Sequence, residues 1–241
     1  MKNSFKELSK TLLIAGSIAI FFRSIFFEPF NIPSGSMIPT LLVGDYLFVS
    51  KYSYGYSKYS FPFALGPIKD RVYYKTPQRG DVIVFRKPGD ESIDYIKRLV
   101  ALPNDTVQVK EGVLYINSKK VKRIKTNIGI MKNIFGDEKV FTQYNEVFEG
   151  SKTHKIIEAG DNDTFDDTIL FKVPPGHFFF MGDNRDNSRD SRTPEVGFVP
   201  KKNLIGKAEI IFFSHDSSAS IFEFWKWHKA IRFSRIGKSI E

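Results

Sequence analysis

"DYIKRLVALP", Asp94 to Pro103, is a short run of aromatic, β-branched and aliphatic residues closed by a proline, which is the composition of a strand. Side chains of a strand alternate, so Tyr95, Lys97 and Leu99 share one face and Asp94, Ile96 and Arg98 the other. The same grammar recurs in "DYLFVSKYSYGY" (45–56), "GDVIVFRKP" (80–88), "DTVQVKEGVLYIN" (105–117), "GHFFFMGDN" (176–184) and "LIGKAEIIFF" (204–213). Gly, Pro, Asn and Asp punctuate these runs, and together they predict a mainly β fold: an all-β body with long connections. Between Asn104 and Lys172 the texture loosens into polar segments such as "SKKVKRIKTN" and "EAGDNDTFDD". That stretch predicts an inserted β subdomain or long hairpins, dividing the core into 28–103 and 173–213. No internal repeat is present.

Upstream lies "TLLIAGSIAIFFRSIFFEPF", apolar from Thr11 to Phe27 except for small residues and Arg23. A transmembrane helix takes roughly 20 residues, so 11–27 is about the minimum for a span, with Arg23 snorkelling at its end. Lys2, Lys6 and Lys10 precede it, which predicts a cytoplasmic N-terminus (1–10) and an extracytoplasmic body on a single-pass tether. A cleavable signal peptide is the rival reading. The small-x-small pattern at Ser17 to Ala19 lies in mid-run with phenylalanines after it, which favours an uncleaved anchor.

The chain has 241 residues, 41% of them apolar, enough for one sizeable domain with an appendage. Its net charge of +9 is spread along the length without a nucleic-acid motif, and suits an anionic lipid surface better than nucleic acid. There is no cysteine, which excludes thiolate catalysis, disulfides and cysteine-ligated zinc. His154, His177, His215 and His228 do not pair at metal-ligand spacing, so no metal site or other cofactor is expected.

Three segments carry chemistry. "PSGSMIP" (33–39) reads as a turn, with Gly35 for positive φ, prolines for stiffness and serines for local hydrogen bonds. The same rigid frame suits a nucleophilic Ser36 beside backbone oxyanion donors. A serine needs a base. His177 lacks the surroundings of a triad and reads as a structural or surface histidine. Lys97 is the other candidate, and must drop roughly 2 to 3 units from about 10.4 to act near neutrality, which only a dry site provides. Its plainer reading is a solvated strand lysine. The third segment, "GDNRDNSRDSR" (182–192), lacks the turn glycine and terminal glutamate of an EF-hand, and reads as a hydrogen-bonded loop in which Ser188 is able to orient a lysine amine.

The ordered set "PSGSMIPTL" after an apolar anchor, "GDYLFVSK", "RGDVIVF", "YIKRLVALPND" and "GDNRDNSRDSR" followed by "GFVP" closely resembles the bacterial type I signal peptidase family, from about Arg23 to about Ile211. The resemblance implies a serine endopeptidase of the bacterial inner membrane that removes signal peptides from preproteins after small-x-small sequences. By it Ser36 is the nucleophile and Lys97 the general base. Ser34 joins the Ser36 N–H in the oxyanion hole, Ser188 orients Lys97, and Asp190 with Arg192 forms a supporting ion pair. Phe30, Ile32, Leu47, Val84, Tyr95 and Ile96 are then the pocket walls against which the substrate lies as an added strand. Two readings from other classes remain: a catalytically inactive membrane-anchored binding module on the same fold, and a histidine-dependent hydrolase using His177. The tail 214–241 sets Phe224, Trp225 and Trp227 among Lys226, Lys229, Arg232 and Arg235. It predicts either an amphipathic interfacial helix or a helix packed on the body.

Overall fold

With no proline and only one glycine before Glu28, the N-terminal run holds a single helix, α1 (Lys2–Ile25). Its segment Phe5–Ile25 is long and apolar enough to cross a membrane. At 1.5 Å per residue that segment is about 31 Å long, the thickness of a bilayer's hydrocarbon core. Leu12, Leu13 and Ile18 are exposed along it, which fits a membrane span. The computed structural model describes residues 2–64, 66, 68, 70–132, 138–150, 153–160, 164–220 and 222–241. Part of the "EAGDNDTFDD" loop therefore lies outside the described residues.

The helix begins before the expected anchor, 11–27, and ends inside it at Ile25, with Phe27 already in the first strand. The strands are β1 (Phe27–Asn31), β2 (Asp45–Ser50), β3 (Val82–Arg86), β4 (Asp94–Ala101), β5 (Thr106–Lys110), β6 (Val113–Ile116) and β7 (Lys119–Lys120). They continue as β8 (Lys122–Lys132), β9 (Glu138–Val147), β10 (Thr153–Glu158), β11 (Phe171–Lys172), β12 (His177–Met181), β13 (Val199–Pro200) and β14 (Leu204–Ser214). The main sheet has seven strands in the order β1-β2-β14-β3-β4-β12-β13. The fold is mainly β, as the alternation predicts.

β4 pairs antiparallel with β3, setting Lys97 opposite Ile83 and Tyr95 opposite Phe85. Opposed residues of an antiparallel pair share a face, so Lys97 stands with Tyr95, Ile83 and Phe85, as its alternation requires. On that side Ile83, Phe85, Leu99, Phe178 and Phe180 form one core. On the other, Val82 and Val84 pack with Met37, Leu41, Leu47 and Ile205.

The insert between β4 and β12 holds two small sheets, β11-β5-β6-β7 and β10-β9-β8. It shares a third core with the body, where Val107, Leu114 and Phe148 meet Val100, Phe179 and Met181. β10 also reaches the loop after β12: Ile157 N donates to Asp183 O at 2.9 Å.

Among the described residues the tail forms neither of the two helices expected for it, the interfacial one or the one packed on the body. Its only α-helix among the described residues is the four-residue α2 (Trp227–Ala230), and beyond it the chain packs back onto the body through Arg235, Ser239 and Ile240. Phe222, Phe224 and Trp225 stay exposed.

Candidate active site

The serine turn is built by its prolines and by what holds it from outside. Ser34 is extended (φ −130°, ψ 154°) and leads into a 3-10 turn over Gly35–Met37 without spending its hydroxyl on a cap. Gly35 does not take the positive φ expected of it. It is confined instead by space, since a Cβ there would meet Ile38 Cδ1 at 3.0 Å. From the loop after β12, Asn184 donates twice to the turn: its backbone N to Ser36 O and its Nδ2 to Gly35 O, each at 3.1 Å.

Lys97 Nζ donates to Ser36 Oγ at 2.6 Å, and Ser34 Oγ lies 3.5 Å from the same oxygen. Both partners of the first contact are buried, Lys97 only 4% exposed and Ser36 8%. Nζ also donates to Ile96 O at 3.0 Å and stands 5.3 Å from the centre of the Tyr95 ring. Burial lowers the Lys97 pKa to about 8, against the attraction of the Asp190 and Asp183 carboxylates, which raises it. That fall is the one a base near neutrality requires.

Around this contact the cations are neutralised in pairs. Asp190 accepts from Arg192 Nε at 2.9 Å and Nη2 at 2.8 Å, and from Gly182 N at 2.9 Å. Burial works to raise its pKa, but Arg192 and the other donors outweigh this and leave it lowered. Ser188 is buried beside this carboxylate, helps to hold its pKa down and lines the cleft; no hydrogen bond joins its Oγ to Lys97.

A cleft of about 860 Å³ opens over Ser36 and Lys97. Phe30, Ile32, Val84, Tyr95 and Ile96 line it together with Ser34 and Ser188. Leu47 does not: it is fully buried in the core behind β1, packed with Val49 and Met37. Alternation assigns a face but cannot separate a core position from a cleft wall when both are apolar. β1 pairs with β2 alone, and β12 covers β4 only from Arg98 onward, so the Asp94–Lys97 half of β4 keeps an open edge. His177 lies elsewhere, its Nδ1 within 3.0 Å of Pro175 O. Among the described residues no cluster of three His, Cys, Asp or Glu is arranged to hold a metal.

A family profile described as "Signal peptidase, peptidase S26" matches residues 5–213. The chain belongs to the signal peptidase family. A signal peptidase I of Rickettsia typhi is 41% identical, over 92% of this chain and 89% of its own, and that of Rickettsia prowazekii 40%, over the same shares. The solved structure of a signal peptidase I from Enterococcus faecalis covers 55% of this chain and 97% of its own at 25% identity, with a TM-score of 0.32.

Sequence reasoning missed four residues that shape this site. Arg98 and Asp183 form a fully buried pair, with Arg98 Nε donating at 2.8 Å and Nη2 at 2.7 Å. The signal was present, since the alternation that turns Lys97 one way turns Arg98 the other, and a buried guanidinium needs a carboxylate. Asn184 and Gly182, in the same loop, gave no signal of their own. A Cβ on Gly182 would meet Ser188 Oγ at 2.3 Å and Ser36 O at 2.5 Å, so only glycine lets the two segments approach.

Proposed function

We propose that Ser36 and Lys97 work as a catalytic dyad that removes signal peptides from secreted preproteins. The observation that carries this reading is the 2.6 Å contact between a buried serine hydroxyl and a buried lysine whose pKa has fallen to about 8. In its neutral form the amine takes the proton of Ser36 Oγ, and the oxygen attacks the scissile carbonyl. The resulting oxyanion is met by the Ser36 N–H and the Ser34 hydroxyl. Collapse expels the new N-terminus, which takes the proton back from Lys97, and leaves an acyl-enzyme. Water, deprotonated by the same amine, then releases the signal peptide's carboxylate. The resemblance to the family gives Ser188 the task of orienting Lys97, here without a hydrogen bond between them, and the Asp190–Arg192 pair holds the loop that carries Ser188.

The open edges of β1 and β4 beside the cleft suit an extended peptide added as a strand. Phe30, Ile32, Val84, Tyr95 and Ile96 leave shallow apolar room for the small side chains of an A-x-A sequence. The three lysines before α1 favour a cytoplasmic N-terminus, with the catalytic body on the far face of the bacterial inner membrane. The test is cleavage of a purified secretory preprotein by detergent-extracted full-length enzyme, with the cut read by mass spectrometry. A cut after a small-x-small sequence, absent in Ser36→Ala, is expected. Failure of the wild type where a known signal peptidase cuts would favour the inactive binding module, and loss in His177→Ala but not Lys97→Ala a histidine mechanism.

A further inference from the structure

α1 does not end in a loose linker. Its last carbonyl is taken up by the β body: Tyr56 Oη donates to Ile25 O at 3.1 Å. Just past the helix, Lys51 N donates to Phe26 O at 3.0 Å and carries the β1–β2 ladder up to the helix end. Glu28 on β1 then grips both sides of the joint. Its Oε1 accepts from Arg23 Nε, in the last turn of α1, at 2.7 Å, and its Oε2 pairs with Lys51 Nζ at 2.6 Å. Lys51 is only 2% exposed, and donates further to Tyr59 O at 3.0 Å and Ser60 O at 3.1 Å. Rings fill the outside of the joint, with Phe22 on Phe26 at 5.2 Å and Phe27 edge-on to Tyr52 at 5.6 Å.

A carboxylate placed only to neutralise Lys51 would need one oxygen. Here the second oxygen reaches back to the helix, and Tyr56 of the body caps the helix end. β1, which carries Glu28, runs directly on to the wall of the cleft at Phe30 and to the serine turn. We infer that the Arg23–Glu28–Lys51 fork and the Tyr56 cap form a rigid bracket that fixes the height and tilt of the Ser36 cleft relative to the bilayer. Glu28 and Tyr56 are thus positioning residues, which select substrates by the distance of the cut from their own membrane-embedded segment. The selection rests on the proposed peptidase reading; the rigidity does not.

Two measurements test it. The chain has no cysteine, so Leu12→Cys in the anchor and exposed Ile169→Cys on the body give a unique pair of spin labels in nanodiscs. The expected distance distribution is narrow in the otherwise native chain and broad in Tyr56→Phe and Glu28→Gln. A broad distribution in the native chain, or no change in the variants, would overturn the bracket. The second measurement compares a preprotein reconstituted in vesicles with a soluble peptide spanning the same cut. In the variants peptide cleavage is expected to hold while preprotein cleavage falls about tenfold or shifts its site, as misplacement of a reacting bond predicts. Equal loss on both substrates would make the joint a mere support of the fold, and equal retention would remove it from substrate selection. Arg23→Gln, whose side chain is 56% exposed, repeats both tests without unpairing buried Lys51. Should the wild type cut neither substrate, the peptidase reading fails while the labels still report on the bracket.

Discussion

Lys97 combines two demands that oppose each other, burial that removes its charge and two nearby carboxylates that favour it. Burial wins, and at pH 7 about one molecule in ten holds the free amine, given its pKa of about 8. For a short peptide, kcat/KM is therefore expected to climb about tenfold per pH unit toward pH 8 and then level off. A limb near 6.5, histidine's ordinary value, or a flat profile would sink Lys97 as the base. The same proton marks stability. The unfolded lysine keeps its proton up to about 10.4 and the folded one loses it near 8, so between these values the unfolded chain binds more protons and stability rises with pH. Below pH 8 the folded protein carries the full cost, about 3 kcal/mol for a fall of this size. Lys97→Met, inactive, should unfold at higher denaturant than the wild type at pH 7, and the gap should close toward pH 10.

At the scale of elements, the site is a meeting of two segments far apart in sequence, the 3-10 turn of Ser36 and the loop after β12. Gly182 is the point of closest approach. Gly182→Ala would press a methyl against Ser36 O and Ser188, where backbone on one side cannot yield. Overpacking of this kind costs about 1–3 kcal/mol. The expected result is a stable protein whose kcat/KM falls about a hundredfold through displacement of Ser36, the proposed nucleophile; unchanged kinetics in a folded variant would contradict this account. The insert braces the same loop, because Arg185 Nη1 donates to buried Glu146 at 3.0 Å and Ala159 N to Asp186 at 2.6 Å. Burial alone would raise the Glu146 pKa, yet Arg185 and His154 hold it down at about 2. The strands β2, β3, β4, β12 and β14 of the body and β5 and β6 of the insert were legible because each has a buried apolar face. β8 and β9 were not, since Ile124, Ile128, Ile130 and Val140 stay exposed among lysines and no apolar alternation announces a core. β1 was lost for the opposite reason: Phe26 and Phe27 continue an apolar run, and composition alone does not say where a membrane helix ends and a strand begins. The pairing of Ser36 with Lys97 was legible only through the ordered motifs, since a lysine between a tyrosine and a leucine looks ordinary until the serine turn is folded against it.

For the whole molecule, the tail acts as a closing strap on the body. Ile240 enters the core with Met37 and Leu41, Ile211 N and O bond Lys238 O and Gly237 N at 3.0 and 2.8 Å, and Arg235 Nη2 reaches Thr40 O at 2.9 Å. Arg235 Nε also donates to Asp45 Oδ1 at 2.9 Å, inside a cluster where Leu42 N and Ser214 Oγ serve the same fully buried carboxylate. Burial works to raise the Asp45 pKa, and Arg235 with these donors leaves it below 3.8. The strap's electrostatic share is therefore complete above pH 3.8 and lost as pH falls through the lowered value. Thr40, gripped by Arg235 on its carbonyl, donates its hydroxyl to Asp183 at 2.5 Å, and Asp183 holds Arg98 beside Lys97. The tail is thus joined to the site through a continuous chain of polar contacts. Removing one partner of a buried pair costs up to about 3–5 kcal/mol, and less here because Arg232 Nη1 stays 3.8 Å from Asp45 Oδ1. Arg235→Ala should lose part of that amount of stability in denaturant titrations at pH 7, and Asp45→Asn in the same chain should restore some of it by removing the under-paired charge. Equal stability of Arg235→Ala and the wild type would mean the tail merely lies on the body, and no restoration in the double variant would mean that packing rather than charge holds it there.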